Sequence, residues 1–167
     1  MRQKIRGTTA AWIARDPPGG RRTADIRLHL TLRFLGSYPC SRFPQAEAAA
    51  MEVASMVSGK GGLTLSLDLV GSFGHGAGWL GCRELPQRLV RLRNELDDVL
   101  HAFDNLVTES VTNVFRPHVT VLRDMRQPTD AVSIMPVYWP ITDFALVHSE
   151  LGHVPRYRIV KAYPLRC

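Results

Sequence analysis

The chain has 167 residues, 45% of them hydrophobic, which is typical of one globular domain with a buried core and excludes a disordered chain. Its 21 lysine and arginine residues against 15 aspartate and glutamate residues give a net charge of +6, which favours an anionic partner such as RNA or a nucleotide. No apolar run approaches the length of a membrane span, so no membrane partner is expected.

The first half of the chain predicts two strands and one helix. Residues 7–14 read as a first strand, and residues 16–26 hold two prolines and two glycines, which predicts a loop. Residues 28–34 alternate apolar and polar side chains, as a half-buried strand does. Residues 44–57 are rich in helix formers and start with a proline suited to the first turn of a helix.

The second half begins with the clearest strand of the chain, because leucines alternate with polar residues over residues 63–69. A glycine-rich turn and a return strand at residues 79–82 follow. Leucines and a valine recur every three or four residues over residues 86–101, which predicts a helix with one buried face. The remaining predicted strands cover residues 118–122, 141–149 and 157–162.

Two of these predicted strands carry the same short pattern, His-x-Thr. It occurs as His29-Leu-Thr31 and again as His118-Val-Thr120. Residues two apart in a strand share a face, so each motif presents an imidazole beside a hydroxyl, with leucines or valines on the opposite, buried face. In the first strand that alternation buries Leu28, Leu30, Leu32 and Phe34, and it leaves Arg33 beside His29 and Thr31.

One copy of such a pattern is common in strands and usually has no catalytic meaning. Two copies far apart in the chain are harder to dismiss, and they indicate an acid–base pair with hydrogen-bond donors beside it. At these residues the chain resembles the 2H phosphoesterase superfamily, named for two His-x-Thr/Ser motifs. It is most similar to the LigT-like RNA 2′,3′-cyclic phosphodiesterases, often described as 2′–5′ RNA ligases.

The resemblance extends beyond the two motifs. It includes Arg33 through Gly36 after the first motif, and Pro117 and Arg123 around the second. It also includes the central hairpin with Phe73 at its tip. In one respect the chain departs from the family, because a long helix usually separates the first strand from the first motif, whereas here only the loop of residues 16–26 does. The resemblance therefore predicts a single domain over residues 1–167 with a shortened N-terminal region.

The resemblance implies an α+β fold of two lobes, in which two antiparallel sheets form a central groove with helices on the outside. It implies His29 and His118 as the catalytic pair, Thr31 and Thr120 as phosphate ligands, and no cofactor or metal. Arg33 is a further phosphate-binding candidate, since it shares the predicted face of His29. Phe73 is a candidate for stacking on a nucleobase, although packing within the hairpin is an equally good interpretation.

Strand periodicity and the family resemblance give different positions for the Arg123 side chain. Counting by twos from His118 puts Leu122, not Arg123, on the active face, so Arg123 reaches the phosphate only if a bulge or the end of the strand intervenes. The resemblance nevertheless favours Arg123 as a phosphate ligand.

The predicted chemistry is the opening of a 2′,3′-cyclic phosphate on RNA or a nucleotide to a 2′-phosphomonoester. Imidazole titrates near neutral pH, so one histidine can take a proton from water while the other gives one to the departing oxygen. The resemblance assigns the base to His118 and the acid to His29, with the roles exchanged in 2′–5′ ligation. The alternatives are another 2H reaction, on ADP-ribose cyclic phosphate or 2′–5′ oligonucleotides, and a non-catalytic RNA-binding or nucleotide-binding module.

Two further expectations concern cellular setting and assembly. Cys40, Cys82 and Cys167 form no Cys-x-x-Cys pattern, which is typical of a protein of the reducing cytoplasm rather than of a disulfide framework. A monomer is expected.

Overall fold

The structure, a computed structural model, describes residues 1–15, 19–37, 39–57, 59, 61–74, 76–103, 115–150 and 156–165. The fold is α+β, as predicted, and its described part has three α-helices and two antiparallel sheets. The helices are α1 (Arg2–Arg15), α2 (Phe43–Val57) and α3 (Gln87–Ala102). The strands are β1 (Arg21–Arg22), β2 (Leu63–Phe73), β3 (Ala77–Gly81), β4 (His118–Arg123), β5 (Val132–Ile141), β6 (Asp143–Glu150) and β7 (Arg156–Pro164).

The larger sheet has five strands in the order β1-β4-β3-β2-β5, and β6 and β7 form a separate hairpin. The predicted central hairpin is confirmed, with Phe73 paired to Ala77 beside the turn. The two central helices are also confirmed, each to within one residue of its predicted start. Two strands were not predicted: β1, which lies in the predicted loop of residues 16–26, and β5, which contains Pro136 and Pro140. A proline is tolerated at the edge of a sheet, and β5 is an edge strand.

The N-terminal prediction is wrong, since residues assigned to a strand belong to helix α1. Ile5, Thr9 and Trp12 are its buried residues, and their spacing of four and three places them on one helical face. Gly7 and two threonines weaken the local helix propensity, but packing against the sheet outweighs it. A helix therefore does precede the first motif, contrary to the expectation for this region. Of the predicted loop, residues 16–18 lie outside the described residues.

The chain divides into two compact units. The first comprises the described residues within Met1–Leu32, Thr64–Leu85 and Phe115–Trp139, and the second those within Arg33–Leu63, Pro86–Val114 and Pro140–Cys167. The first unit contains α1 and most of the five-stranded sheet. Trp12 is 2% exposed and packs on the sheet where Gly78 leaves room, because a Cβ at Gly78 would lie 3.0 Å from the Trp12 ring. We call the side of the sheet that α1 covers the back face. Val119 and Leu122 are also buried on this side.

The second unit contains α2, α3 and the β6–β7 hairpin. The predicted leucine stripe of α3 is buried, and α2 contributes a face of alanines and valines. Phe144 and Tyr163 stack across the hairpin with ring centroids 5.2 Å apart. The Tyr163 hydroxyl donates a 3.3 Å hydrogen bond to the Glu47 carbonyl of α2, which ties the hairpin to the helix. Among the described residues, no helix combines the length and the apolar character needed to cross a membrane.

Candidate active site

The two His-x-Thr motifs lie side by side in the first unit. The second motif begins β4, which is paired to β3 over its whole length. The first motif joins the other edge of β4 through an isolated antiparallel bridge between Leu30 and Val119. Each bridged residue is the central residue of its own motif, so the bridge aligns the two motifs.

This alignment determines which functional side chains face each other. One step along the register from the Leu30–Val119 bridge puts His29 opposite Thr120, and one step the other way puts Thr31 opposite His118. Val119 is fully buried, whereas His29 and Thr31 are exposed and His118 and Thr120 half-buried. The two histidines and two threonines thus share one face of the sheet, in an arrangement with approximate two-fold symmetry. We call this the front face, opposite the back face.

Both imidazoles are oriented in the same way. Nδ1 of His29 lies 2.6 Å from the carbonyl oxygen of Arg27, and Nδ1 of His118 lies 2.8 Å from that of Arg116. A carbonyl oxygen only accepts hydrogen bonds, so each Nδ1 carries a proton. Proton exchange with a substrate is therefore the task of Nε2 in both rings. In each case the acceptor is two residues before the histidine, so the support is local.

A bulge in β4 resolves the position of Arg123. Trp79 pairs with Thr120 but Gly78 pairs with Leu122, so Val121 is an extra residue in β4. Val121 and Leu122 are consecutive and both buried, as the bulge requires. Leu122 therefore does not lie on the front face, contrary to simple counting, and Arg123 lies there with Thr120. The condition under which Arg123 reaches the site is met, while its contact with phosphate stays a prediction.

Phe73 is in contact with the second motif. Its ring meets the His118 ring edge-on at 4.9 Å between centroids, and it lies 5.5 Å from the Trp79 ring. Trp79 lies so close over Gly71 that a Cβ there would be 2.7 Å from the indole. Phe73 keeps 41% of its surface exposed, so it packs against the site and still presents surface to solvent. Its role in base stacking stays a prediction.

The predicted strand over residues 28–34 is wrong, because that segment forms only the isolated bridge at Leu30. Two residues after the first motif also break the predicted alternation. Phe34, expected in the core, is 71% exposed, and the Arg33 side chain, expected on the active face, is 5% exposed. Arg33 belongs to the second unit, where its Nε lies 3.3 Å from Asp97, which also pairs with Arg93. An ion pair with α3 thus replaces the expected exposure of Arg33, and its role as a phosphate ligand stays a prediction.

Cys82, the residue directly after β3, is partly buried. Burial raises the pKa of its thiol and the nearby Asp68 carboxylate raises it further, which disfavours the reactive thiolate. Within the part of the chain that the structure describes, no three His, Cys, Asp or Glu side chains are grouped to hold a metal ion.

Sequence reasoning left the bulge as an open condition and missed two other features of this site. The bulge had one available signal, the separation of three between Thr120 and Arg123. The position of Trp79 also had a signal in the sequence. Gly71 in β2 and Gly81 in β3 lie beside it, and their lack of a side chain leaves space for its ring. The Nδ1–carbonyl contacts had no sequence signal, since they depend on the rotamer of each ring.

Comparison with known proteins places this geometry in a family. The family model of the 2′-5′ RNA ligase superfamily matches residues 5–153. The chain is 32% identical over 173 residues to the RNA 2′,3′-cyclic phosphodiesterase of Escherichia coli strain K12, covering 97% of this chain and 90% of that protein.

Solved structures agree. Escherichia coli LigT complexed with 3′-AMP is 32% identical, with a TM-score of 0.71 over 97% of this chain and 91% of that one. A protein of Thermus thermophilus shares the fold at 23% identity, with a TM-score of 0.78 over 98% of this chain and 93% of its own.

Proposed function

Because the chain belongs to the 2′-5′ RNA ligase superfamily, we propose that it opens the 2′,3′-cyclic phosphate of an RNA or nucleotide with His29 and His118. The observation that carries the proposal is the Leu30–Val119 bridge, which brings both histidines and both threonines to one face. The relative named RNA 2′,3′-cyclic phosphodiesterase supports the same reaction.

In this reaction a water attacks phosphorus and the bond from phosphorus to O3′ breaks. His118 Nε2 takes the proton of the attacking water, and His29, protonated at Nε2, gives a proton to O3′. The product is a 2′-phosphomonoester. The Arg27 and Arg116 carbonyls hold each Nδ1–H and so keep each Nε2 available for its proton. In 2′–5′ ligation a 5′-hydroxyl replaces the water and the two groups keep these roles, which corrects the expected exchange; the roles exchange only when a 2′–5′ linkage is cleaved back to the cyclic phosphate.

The phosphate ligands follow from the face on which each side chain lies. The Thr31 and Thr120 hydroxyls donate hydrogen bonds to the non-bridging oxygens, where charge develops in the transition state. Arg123 adds a guanidinium from beyond the bulge. Phe73 offers its exposed surface to the terminal base. Arg33 differs from the other predicted ligands, because its side chain is buried against Asp97.

The experiment is hydrolysis of a nucleoside 2′,3′-cyclic phosphate and of an RNA oligomer ending in one, both in EDTA. We expect His29→Ala and His118→Ala each to lower kcat by about 10²- to 10⁴-fold, the usual contribution of general acid–base catalysis. Chromatography identifies the phosphomonoester that is formed. His101→Ala is the matched control, because His101 makes the same kind of contact, from Nδ1 to the Asp97 carbonyl at 2.6 Å, in the second unit.

Three outcomes decide the proposal. Turnover that is lost in both site variants and kept in His101→Ala supports it. Turnover that persists in either site variant contradicts the two-histidine mechanism. RNA binding without turnover in the unchanged protein contradicts enzyme activity and indicates a binding module instead.

Two further parts of the proposal rest on composition. The basic chain suits RNA or nucleotide as partner, and the cysteine pattern suits a reducing cytoplasm. We propose a monomer, which light scattering at the concentration of the assay tests directly.

A further inference from the structure

We propose that Arg21, beside Arg123, binds the phosphodiester group that precedes the terminal nucleotide, so that the preferred substrate is an oligonucleotide rather than a mononucleotide. This inference rests on the proposed function and adds the substrate class. Arg21 lies in the segment that sequence reasoning interpreted as a loop.

The register of β1 places Arg21 on the front face. Arg21 pairs with Arg123, and Arg22 pairs with Leu122. Leu122 is 1% exposed on the back face, and Arg22 lines a cavity of about 220 Å³ there with Ile5 and Val121. Since neighbouring residues in a strand point to opposite faces, Arg21 projects with Arg123 to the side of the histidines.

The backbone around Arg21 is built for close approach to β4. Gly20 has φ +90°, and a Cβ there would lie 2.5 Å from the Arg123 carbonyl oxygen. A glycine is therefore needed at this point. The contact fixes the start of β1 against the end of β4, so the two arginines are held as directly opposed residues.

Two like charges directly opposed in an antiparallel pair destabilise it unless a counter-charge is present. Asp124 supplies one negative charge, through an ion pair of 3.1 Å to Arg21 between side chains that are 64% and 72% exposed. Such an exposed pair is weak. Arg21 and Arg123 together carry two positive charges and Asp124 one negative charge, so one positive charge is in excess, and a phosphate group satisfies it.

The spacing matches a nucleic-acid strand. Because Val121 is bulged, Arg123 lies two strand positions beyond Thr120, which is about 7 Å along the sheet. If Thr31 and Thr120 hold the cyclic phosphate, Arg21 lies one nucleotide further along the RNA. The planar guanidinium forms paired hydrogen bonds with phosphate oxygens.

The test uses the full chain and compares three substrates. These are uridine 2′,3′-cyclic phosphate, the dinucleotide UpU ending in a 2′,3′-cyclic phosphate, and the same dinucleotide with a neutral methylphosphonate linkage. We expect kcat/KM to be about tenfold higher for the charged dinucleotide than for the neutral one. Arg21→Gln should reduce that ratio to near one. It should also make the salt dependence of kcat/KM on the charged dinucleotide shallower by about 0.7 in log–log slope.

Arg22→Gln is the matched control, because it removes the same charge from the next residue but on the back face, and it should leave the ratio unchanged. Equal loss of the ratio in both variants would show a general charge effect and overturn the subsite. So would a wild-type ratio near one, with hydrolysis of the mononucleotide intact. If the unchanged protein hydrolyses none of the three substrates, the proposed function itself is overturned instead.

Discussion

The two His-x-Thr motifs differ in their backbone support and agree in how they hold the histidine. His118 begins a strand paired to β3 along its length, whereas His29 belongs to a segment joined to the sheet by an isolated bridge. Yet each Nδ1 contacts the carbonyl two residues before it. The orientation of each imidazole ring is thus local, and pairing in the sheet brings the two motifs together.

The largest effect expected from this comparison tests whether the two motifs are equivalent in function. Thr31→Val and Thr120→Val each remove one hydroxyl donor to a charged phosphate, so we expect kcat to fall about 10- to 100-fold in both variants. Steady-state kinetics on a nucleoside 2′,3′-cyclic phosphate measures this. A loss in one variant only would mean that the symmetry of the register does not extend to the chemistry.

The second prediction concerns stability, where the motifs should differ. Val119 is fully buried in β4, so Val119→Ala should lower the free energy of unfolding by about 2 kcal/mol. Leu30 is half-buried, and Leu30→Ala should cost about 1 kcal/mol although it removes more atoms. Urea unfolding gives both values. An equal or larger cost at Leu30 would show that the first motif is as firmly held as the second.

These contrasts show what could be predicted from sequence. Periodicity predicted the buried valines of the second motif and the stripe of α3, because both depend only on local spacing. Helix α1 could not be predicted, since it depends on Trp12 packing on Gly78, far away in the chain. The burial of Arg33 likewise depends on Asp97 in α3, and no local pattern encodes that ion pair.

The third prediction addresses an asymmetry between the motifs. Phe73 contacts His118 edge-on, and such aromatic contacts contribute about 0.5–1.5 kcal/mol. Phe73→Leu should therefore lower kcat/KM about three- to tenfold and change the NMR signals of the His118 ring but not those of His29. Phe34→Leu is the control, because Phe34 is 71% exposed. Changes at both histidines would contradict a selective contact.

The smallest effect is spectroscopic and requires no change of activity. In the neutral state, ¹⁵N NMR should show the Nδ1–H tautomer for both His29 and His118, because each Nδ1 faces a carbonyl oxygen. Backbone assignment identifies the two rings. A neutral ring protonated at Nε2 in either motif would break the equivalence on which the acid–base assignment depends.

The bulge at Val121 has a consequence for reading related chains. In a regular strand, two residues that serve the same face are separated by an even number of positions. Thr120 and Arg123 are separated by an odd number and still serve one face. An odd separation between two functional residues in a strand thus marks an inserted residue that can be recognised without coordinates. Deleting Val121 would restore the even count and keep the guanidinium on the side of the histidines, whereas a regular strand that kept all the residues would turn it away.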